Sequence, residues 1–214
     1  MTNQEILSHV DHTLLKAFAT WDQIKALCDE AIEYKCASVC VPPSYVKRIK
    51  ETYGDKLEIC TVIGFPLGYE TTAGKIADAK QCIEDGATEI DMVVNIAEVK
   101  CGNFEYAENE IKALREATKG NILKVIIETC YLTDDEKIAL CKAVTNAGAD
   151  YIKTSTGFGT AGATLEDIRL FKENIGPSVK MKAAGGITTV DEVVAYLEAG
   201  CDRIGTSRAV ALLK

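Results

Sequence analysis

Two lysines, each at the end of a short, mostly apolar segment, are the residues of this sequence best suited to covalent chemistry. Lys153 ends the segment Asp-Tyr-Ile-Lys and Lys182 ends Val-Lys-Met-Lys, and small residues follow both. If the two segments are neighbouring parallel strands, the amines lie about 5 Å apart. Repulsion between ammonium groups and burial both disfavour protonation, so one lysine could act as a neutral nucleophile. The alternative is that each lysine only pairs with a carboxylate such as Asp91 or Glu128.

Asp91 is the candidate for proton transfer beside such an amine. After an amine condenses with a carbonyl, the carbinolamine must lose water, and cleavage of a carbon–carbon bond needs further proton exchange. A carboxylate with a bound water can serve both steps. The simpler interpretation, which remains open at this point, is a salt bridge that holds the lysines.

Two glycine-containing loops predict a phosphate-binding site. Gly185 and Gly186 follow the seventh predicted strand, and Gly205-Thr206-Ser207 follows the eighth and opens a final helix; Gly157 could add a further amide. Free backbone amides and helix N-termini hold phosphate at this position in many barrel enzymes. An acidic protein can therefore bind an anionic substrate with a local arrangement of amides.

The elements that must position these residues alternate along the whole chain. Apolar runs of strand length are separated by amphipathic stretches of helix length, which predicts a single α/β domain, a (β/α)₈ TIM barrel over residues 1–214. An open doubly wound sheet is the alternative, but the early Gly-x-Gly-x-x-Gly turn typical of it is missing from the sequence. The predicted strands are Asp11–Leu15, Ala37–Val41, Glu58–Gly64, Thr88–Val94, Ile122–Glu128, Asp150–Thr154, Val179–Ala183 and Asp202–Gly205.

An internal repeat supports this arrangement. In each copy a glycine suited to a left-handed helix cap is followed at once by a strand. The copies are Gly86–Asp91, Gly148–Lys153 and Gly200–Gly205, with Lys35–Cys40 as a weaker fourth. Side chains in a barrel interior form layers drawn from alternate strands, so we expect the last residues of the copies, Cys40, Asp91, Lys153 and Gly205, at one level near the C-terminal mouth.

Composition excludes several other classes of function. The formal net charge is −8 and the pI about 4.9, which argues against a nucleic-acid or anionic membrane surface. No apolar run approaches the roughly 20 residues of a membrane span, and Met1–Val10 does not read as a signal peptide, so we expect a cytoplasmic protein. The nine cysteines are scattered without a Cys-x-x-Cys pair, so we expect reduced thiols and no metal site.

Four segments closely resemble the signatures of the deoxyribose-phosphate aldolase family, and Asp11-His-Thr13 matches as well. The resemblance runs from about Val10 to Ser207 and implies a cofactor-free, Schiff-base-forming class I aldolase on a (β/α)₈ barrel. It implies that Lys153 is the Schiff-base lysine, Lys182 the lysine that perturbs it and Asp91 the acid/base, with Asp11, Thr13 and Cys40 near the substrate. The segments are Glu89–Val94, Leu123–Thr129, Asp150–Gly157 and Lys180–Gly186.

The implied reaction interconverts 2-deoxy-D-ribose 5-phosphate with acetaldehyde and D-glyceraldehyde 3-phosphate in deoxynucleoside catabolism. Two other functions remain open. A non-covalent sugar-phosphate isomerase or epimerase would use Asp91 as a base on the same barrel, and a non-catalytic protein would only bind phosphosugars. Both leave the lysine pair unexplained. Barrels of this kind often form homodimers or other homo-oligomers, which we expect here.

Overall fold

Eight parallel strands close into one barrel. The computed structural model describes residues 1–213, and in this range each strand pairs with the next along the chain while the eighth pairs with the first. The prediction of a (β/α)₈ barrel is therefore confirmed. The strands are Val10–Thr13 (β1), Ser38–Val41 (β2), Ile59–Ile63 (β3), Glu89–Val93 (β4), Ile122–Ile126 (β5), Tyr151–Lys153 (β6), Lys180–Ala184 (β7) and Arg203–Thr206 (β8).

The predicted strands differ from the observed ones mainly at their ends. The first was expected to reach Leu15, but the β1 ladder stops at Thr13, and Leu14 and Leu15 turn into the wall of a cavity. The last was expected to end at Gly205, but Thr206 still pairs with His12 of β1. Apolar residues continue past the end of a ladder when they line the barrel mouth, so the sequence pattern alone does not mark where pairing stops.

Helices follow the strands and pack around the barrel. Two 3₁₀ turns, Pro43–Tyr45 and Thr129–Tyr131, lie in loops at the C-terminal ends of β2 and β5. None of the helices within residues 1–213 is long and apolar enough to span a membrane. The α-helices are Asn3–Leu7 (α1), Trp21–Glu33 (α2), Val46–Tyr53 (α3), Thr72–Glu84 (α4), Ile96–Lys100 (α5), Phe104–Ala117 (α6), Asp134–Ala147 (α7), Leu165–Asn174 (α8), Val190–Ala199 (α9) and Ala209–Leu213 (α10).

The hydrophobic core lies between the barrel and these helices. Along α6, Ala107, Ile111 and Leu114 recur at helical spacing and are fully buried, as the periodicity predicts. Ile90 and Val125, on neighbouring strands, belong to the same continuous apolar cluster. Because the outer faces of the strands bury the apolar side chains, the inner faces are free to carry polar ones.

Local signals set the helix ends as expected. The three predicted capping boxes, at Thr20, Thr133 and Thr189, are all present. Each threonine and the side chain three residues later satisfy backbone amides that the first turn leaves unpaired. At the other end, Gly148 and Gly200 cap α7 and α9 in the left-handed conformation, with φ of 72° and 113°. The chain can therefore pass from helix to strand within two or three residues.

Gly148→Ala tests the requirement for a left-handed residue after α7. A Cβ added at this glycine would have no heavy atom within 4 Å, so the cost comes from the backbone and not from a clash. We expect a loss of about 1 kcal/mol in the free energy of unfolding, measured by urea denaturation. Gly148→Asn is the matched control and should lose less, since asparagine tolerates this conformation. An alanine variant as stable as the original would contradict the assignment.

Candidate active site

The interior of the barrel carries a cluster of buried charges in place of a purely apolar filling. Its members contact one another between strands that are not neighbours, such as β1 with β7 and β4 with β7, which is geometrically possible only through the barrel interior. We call this set the interior charge cluster. It consists of Asp11, Glu89, Asp91, Lys124, Lys153, Lys182 and Arg203.

Asp91 lies at the centre of the cluster and binds three ammonium groups. Its Oδ2 is 2.7 Å from Nζ of Lys153 and 2.7 Å from Nζ of Lys182, and its Oδ1 is 2.9 Å from Nζ of Lys124. Burial alone would raise the pKa of Asp91, but the three lysines outweigh it and hold that pKa well below its usual range. Asp91 is therefore an ionised carboxylate at neutral pH.

Lys153 and Lys182 are paired residues on β6 and β7, as the sequence predicted. Both amines also bind the same carboxylate oxygen of Asp91. The alternative in which each lysine pairs with a carboxylate therefore holds for both lysines. Lys182 additionally contacts the carboxylate of Asp11. Burial lowers the pKa of Lys182, but Asp11 and Asp91 raise it by more, so this amine keeps its proton. Lys182 is thus a fixed positive charge beside Lys153.

No role was assigned from the sequence to three members of the cluster, Glu89, Lys124 and Arg203. Lys124 Nζ lies 2.5 Å from Glu89, 2.9 Å from Asp91 and 3.6 Å from Asp11. Arg203 donates to Asp11 at 2.6 Å and to Glu89 at 3.1 Å. The available signal was their position. Lys124 interrupts the apolar run of β5, and Glu89 and Arg203 each lie two residues before a residue that was singled out, so period two places them on the same face.

The charge count of the cluster favours a neutral amine. Three carboxylates face three lysines and one arginine, so protonation of every lysine leaves one positive charge in excess, whereas one neutral lysine balances the set. A buried uncompensated charge is costly. Lys124 and Lys182 are completely buried, while Lys153 lines a cavity open to the outside. Among the lysines of the cluster, Lys153 is therefore the one that a ligand in the cavity can reach.

The cavity above Lys153 has a volume of about 330 Å³. Leu14, Leu15 and Phe158 give it apolar walls. Asp11, Asp91, Lys182 and Cys40 do not line it but lie beneath it in the barrel. Seven of the residues proposed from sequence to bind substrate do line it, namely Thr13, Gly157, Gly185, Gly186, Gly205, Thr206 and Ser207.

Glycine is required where the cavity wall turns. Gly185 and Gly186 have φ of 83° and 76°, and a Cβ on Gly185 would lie 3.2 Å from Cα of Gly162 and 3.3 Å from Cα of Gly157. The close approach of these backbones leaves amides at the cavity wall. The final helix, expected to open directly at Gly205-Thr206-Ser207, begins at Ala209, and its described part is five residues long.

Two side-chain cations at the cavity went unassigned in the sequence. Lys16 and Arg208 both line it and are exposed, and they come from opposite ends of the chain, which the pairing of β1 with β8 brings together. Thr206 ties this region to the loop after β7, because its hydroxyl donates to the carbonyl of Ile187 at 3.1 Å and accepts from the amide of Arg208 at 3.2 Å. The cavity mouth is thus locally positive in an acidic protein.

Glu128 shapes the loop that follows Lys153. It is buried and adopts φ of 53°, a conformation that non-glycine residues rarely adopt and that concentrates at functional sites. Its carboxylate accepts hydrogen bonds from the amide and the hydroxyl of Thr156, and the Thr156 hydroxyl accepts from the amide of Phe158 at 3.0 Å. Glu128 therefore holds this loop and does not pair with the lysines, as one alternative had allowed.

The four residues expected at one level meet in the barrel interior. Asp91 and Lys153 are in contact, and Gly205 leaves room for Lys182, since a Cβ there would lie 3.2 Å from Lys182 Cε. Cys40 pairs with Cys60 across β2 and β3, and its sulfur lies within 4.8 Å of a carboxylate oxygen of Asp91. A hydrogen bond from Cys60 lowers the pKa of the Cys40 thiol, while burial raises the pKa of Cys60.

A closed eight-stranded barrel with a polar cluster in its interior and a cavity at the C-terminal ends of the strands is the arrangement of a barrel enzyme. Comparison with known proteins gives the particular family. The family model described as DeoC/LacD family aldolase matches residues 6–207. The chain belongs to this family of aldolases, and it is accordingly an enzyme of the lyase class.

Individual relatives agree along the whole chain. Over 214 residues it is 66% identical to a deoxyribose-phosphate aldolase from Clostridium botulinum, a match that covers 100% of this chain and 97% of that protein. A deoxyribose-phosphate aldolase from Clostridioides difficile is 56% identical over 211 residues, 99% of this chain and 96% of that one. The solved tetrameric deoxyribose phosphate aldolase from Aeropyrum pernix superposes with a TM-score of 0.93 at 32% identity, covering 99% of this chain and 91% of that one.

Lys124→Met tests whether the interior charge cluster acts as a unit. The substitution keeps the length of the side chain but leaves Asp91, Glu89 and Asp11 with one cation fewer, so we expect a loss of about 3–5 kcal/mol in the free energy of unfolding. Lys100→Met is the matched control, because Lys100 pairs with Glu136 at 2.8 Å on the surface, and it should cost less than about 1 kcal/mol. Equal losses in urea denaturation would contradict the assignment.

Proposed function

We propose that this aldolase reversibly cleaves 2-deoxy-D-ribose 5-phosphate to acetaldehyde and D-glyceraldehyde 3-phosphate through a Schiff base on Lys153. The observation that carries the proposal is the position of Lys153. Its Nζ lies 2.7 Å from Asp91, and of the residues in the interior charge cluster it is the one that lines the cavity. The names of the most similar relatives support the same substrate.

The bond changes follow from an amine in this place. Neutral Lys153 adds to the C1 aldehyde of the open-chain sugar, and the neutral carbinolamine takes up one proton and loses water to give a cationic iminium. A base removes the proton of the C3 hydroxyl, the C2–C3 bond breaks, and its electron pair moves into the iminium to form an enamine. Glyceraldehyde 3-phosphate leaves and the enamine gains a proton at C2, after which water adds and releases acetaldehyde, one proton and the neutral amine.

The neighbouring groups have distinct roles in this route. Lys182, which keeps its proton, holds a fixed positive charge beside Lys153. Asp91 is a weak base beside the ammonium groups of Lys124 and Lys182, so it works with a bound water and with Lys182, its partner at 2.7 Å, to relay protons. Asp11 acts indirectly by anchoring Lys182. The route needs neither a metal nor an organic cofactor.

The phosphate of the substrate would lie at the outer end of the cavity. The backbone of Gly157, Gly185, Gly186 and the segment Gly205–Ser207 lines that end, and Lys16 and Arg208 add positive charge. Thr13, on the wall nearest β1, is placed to contact a sugar hydroxyl. Cys40, beneath the cavity, bounds the space below Lys153.

We further propose a single catalytic domain over residues 1–214 that works in the cytoplasm as a homodimer or another homo-oligomer. The continuous core of the barrel supports one domain, and the tetramer in the Aeropyrum pernix structure supports self-association within the family. The net charge of −8 supports a small-molecule substrate over nucleic acid or membrane.

Borohydride trapping tests the covalent step. Reduction in the presence of acetaldehyde should add one two-carbon unit to the protein by intact-mass analysis, and peptide mapping should place it on Lys153. Lys153→Met should abolish the adduct and lower kcat by at least about a thousandfold, because the covalent route disappears. Lys180→Met, at an exposed lysine on the neighbouring strand β7, is the matched control and should keep both the adduct and the original kcat.

Two outcomes would overturn the covalent proposal. The first is a fully active protein that remains unmodified after borohydride reduction in the presence of acetaldehyde. The second is turnover of pentose phosphate with neither adduct nor released aldehyde, which would indicate the non-covalent isomerase instead.

Arg208→Ala tests phosphate binding. Loss of one charged contact should raise KM for 2-deoxyribose 5-phosphate about tenfold with little change in kcat. KM for unphosphorylated 2-deoxyribose should stay the same. Arg169→Ala removes an exposed arginine of α8 that pairs only with Glu166 among the described ion pairs, and it serves as the matched control. An equal rise in KM for both substrates would remove Arg208 from the phosphate site.

A further inference from the structure

Two buried thiols meet beneath the cavity, although the scattered cysteines of the sequence did not suggest it. Cys40 of β2 and Cys60 of β3 are paired residues, and both are completely buried. Cys60 Sγ lies 3.1 Å from Oδ1 of Asp91. The two sulfurs and a carboxylate oxygen of Asp91 all lie within 4.8 Å of one another. Three groups of the types that bind zinc therefore converge at one point of the barrel interior.

We propose that Cys40, Cys60 and Asp91 form an inhibitory site for a thiophilic divalent cation such as Zn²⁺ or Cd²⁺. Two thiolates and one carboxylate are a common ligand set for such ions, and a fourth position remains for water or for the amine of Lys153. A tetrahedral zinc site spaces its sulfur ligands about 3.7 Å apart, as follows from Zn–S bonds of about 2.3 Å. The observed spacing requires shifts of about 1 Å or less to reach that geometry.

The surrounding lysines do not rule out a cation here. Lys124 already places a positive charge beside two of the three ligand groups, with Nζ 3.3 Å from Cys60 Sγ and 2.9 Å from Asp91 Oδ1. A divalent ion that binds two thiols replaces their two protons, which leave to solvent, so the total charge of the site does not change. The gain is the strength of two metal–sulfur bonds.

Inhibition follows from the use of Asp91. An ion that coordinates Asp91 competes with Lys153 and Lys182, which share its other oxygen at 2.7 Å each. Both the charge balance around the nucleophile and the proton relay would then be disturbed. Lys153 lines the cavity and contacts Asp91, so one side chain separates the cavity from the proposed site.

Cadmium titration of the reduced protein tests metal binding by absorption, a readout that does not depend on aldolase activity. With Cd²⁺ alone as the probe, we expect a thiolate-to-cadmium absorption band that saturates at one ion per chain, and the release of about two protons per ion. Aldehyde release should fall at least about tenfold at saturation and return on addition of EDTA. Mg²⁺, which prefers oxygen ligands, should produce neither the band nor the inhibition.

Cys60→Ser separates this site from the other thiols. It keeps a small polar side chain but removes the soft ligand, so the saturable band should disappear and Cd²⁺ should change the variant's own activity less than about twofold. Cys130→Ser is the matched control. This half-buried thiol lies 3.9 Å from a carboxylate oxygen of Glu128 near the cavity, and its loss should leave the band and the inhibition intact.

Several results would overturn the proposal. They are an unchanged band in Cys60→Ser, loss of the band in Cys130→Ser, or inhibition that a thiol reductant reverses but EDTA does not, which would indicate oxidation. If Cys60→Ser does not fold, the band in Cys40→Ser decides the question, since metal binding is read by absorption alone. A failure of the borohydride test would leave this measurement unaffected, so the two proposals fail separately.

Discussion

The rest of this structure depends on the sharing of one buried carboxylate, Asp91, by three ammonium groups. A carboxylate in the interior of a barrel is unfavourable unless its charge is compensated, and three lysines from β5, β6 and β7 compensate it within 2.9 Å. The same contacts fix the lysines against their own repulsion. Stability and the proposed reactivity therefore have one origin, because the interaction that makes the polar interior tolerable also positions Lys153, the proposed nucleophile.

Around this centre the barrel separates structural from reactive charges by depth. Lys124 and Arg203 lie deep in the barrel and bind Glu89 and Asp11, so that Asp11 can hold Lys182 in turn. Lys182 keeps its proton because two carboxylates face it. Only Lys153 combines a place in the cluster with access to the cavity. The functional asymmetry between two lysines on adjacent strands is thus produced by their different numbers of carboxylate neighbours and by their exposure.

The ligand-binding end of the site follows a different rule. The cluster uses side chains from strands, whereas the cavity wall uses backbone turns such as Gly185–Gly186, where positive φ and close backbone approach exclude larger residues. Glu128 holds the loop between the two regions through Thr156. Rigid strands therefore carry the proposed catalytic side chains, and loops shaped by glycine and by one buried carboxylate line the proposed substrate cavity.

The sequence by itself determined the barrel, the helix caps, the lysine pair and the glycines of the cavity, because each depends on local periodicity or on a residue type with a narrow conformational role. Gly148 and Thr133 show this for the caps. Only the tertiary structure decided which interior charges meet. The contacts of Lys124, of Arg203 and of the Cys40–Cys60 pair were not assigned from the sequence, because their partners are far away in the chain. Barrel closure, together with strand register, selects those partners. A shift of one residue in register would turn each side chain to the opposite face, and local pattern cannot specify contacts across the interior.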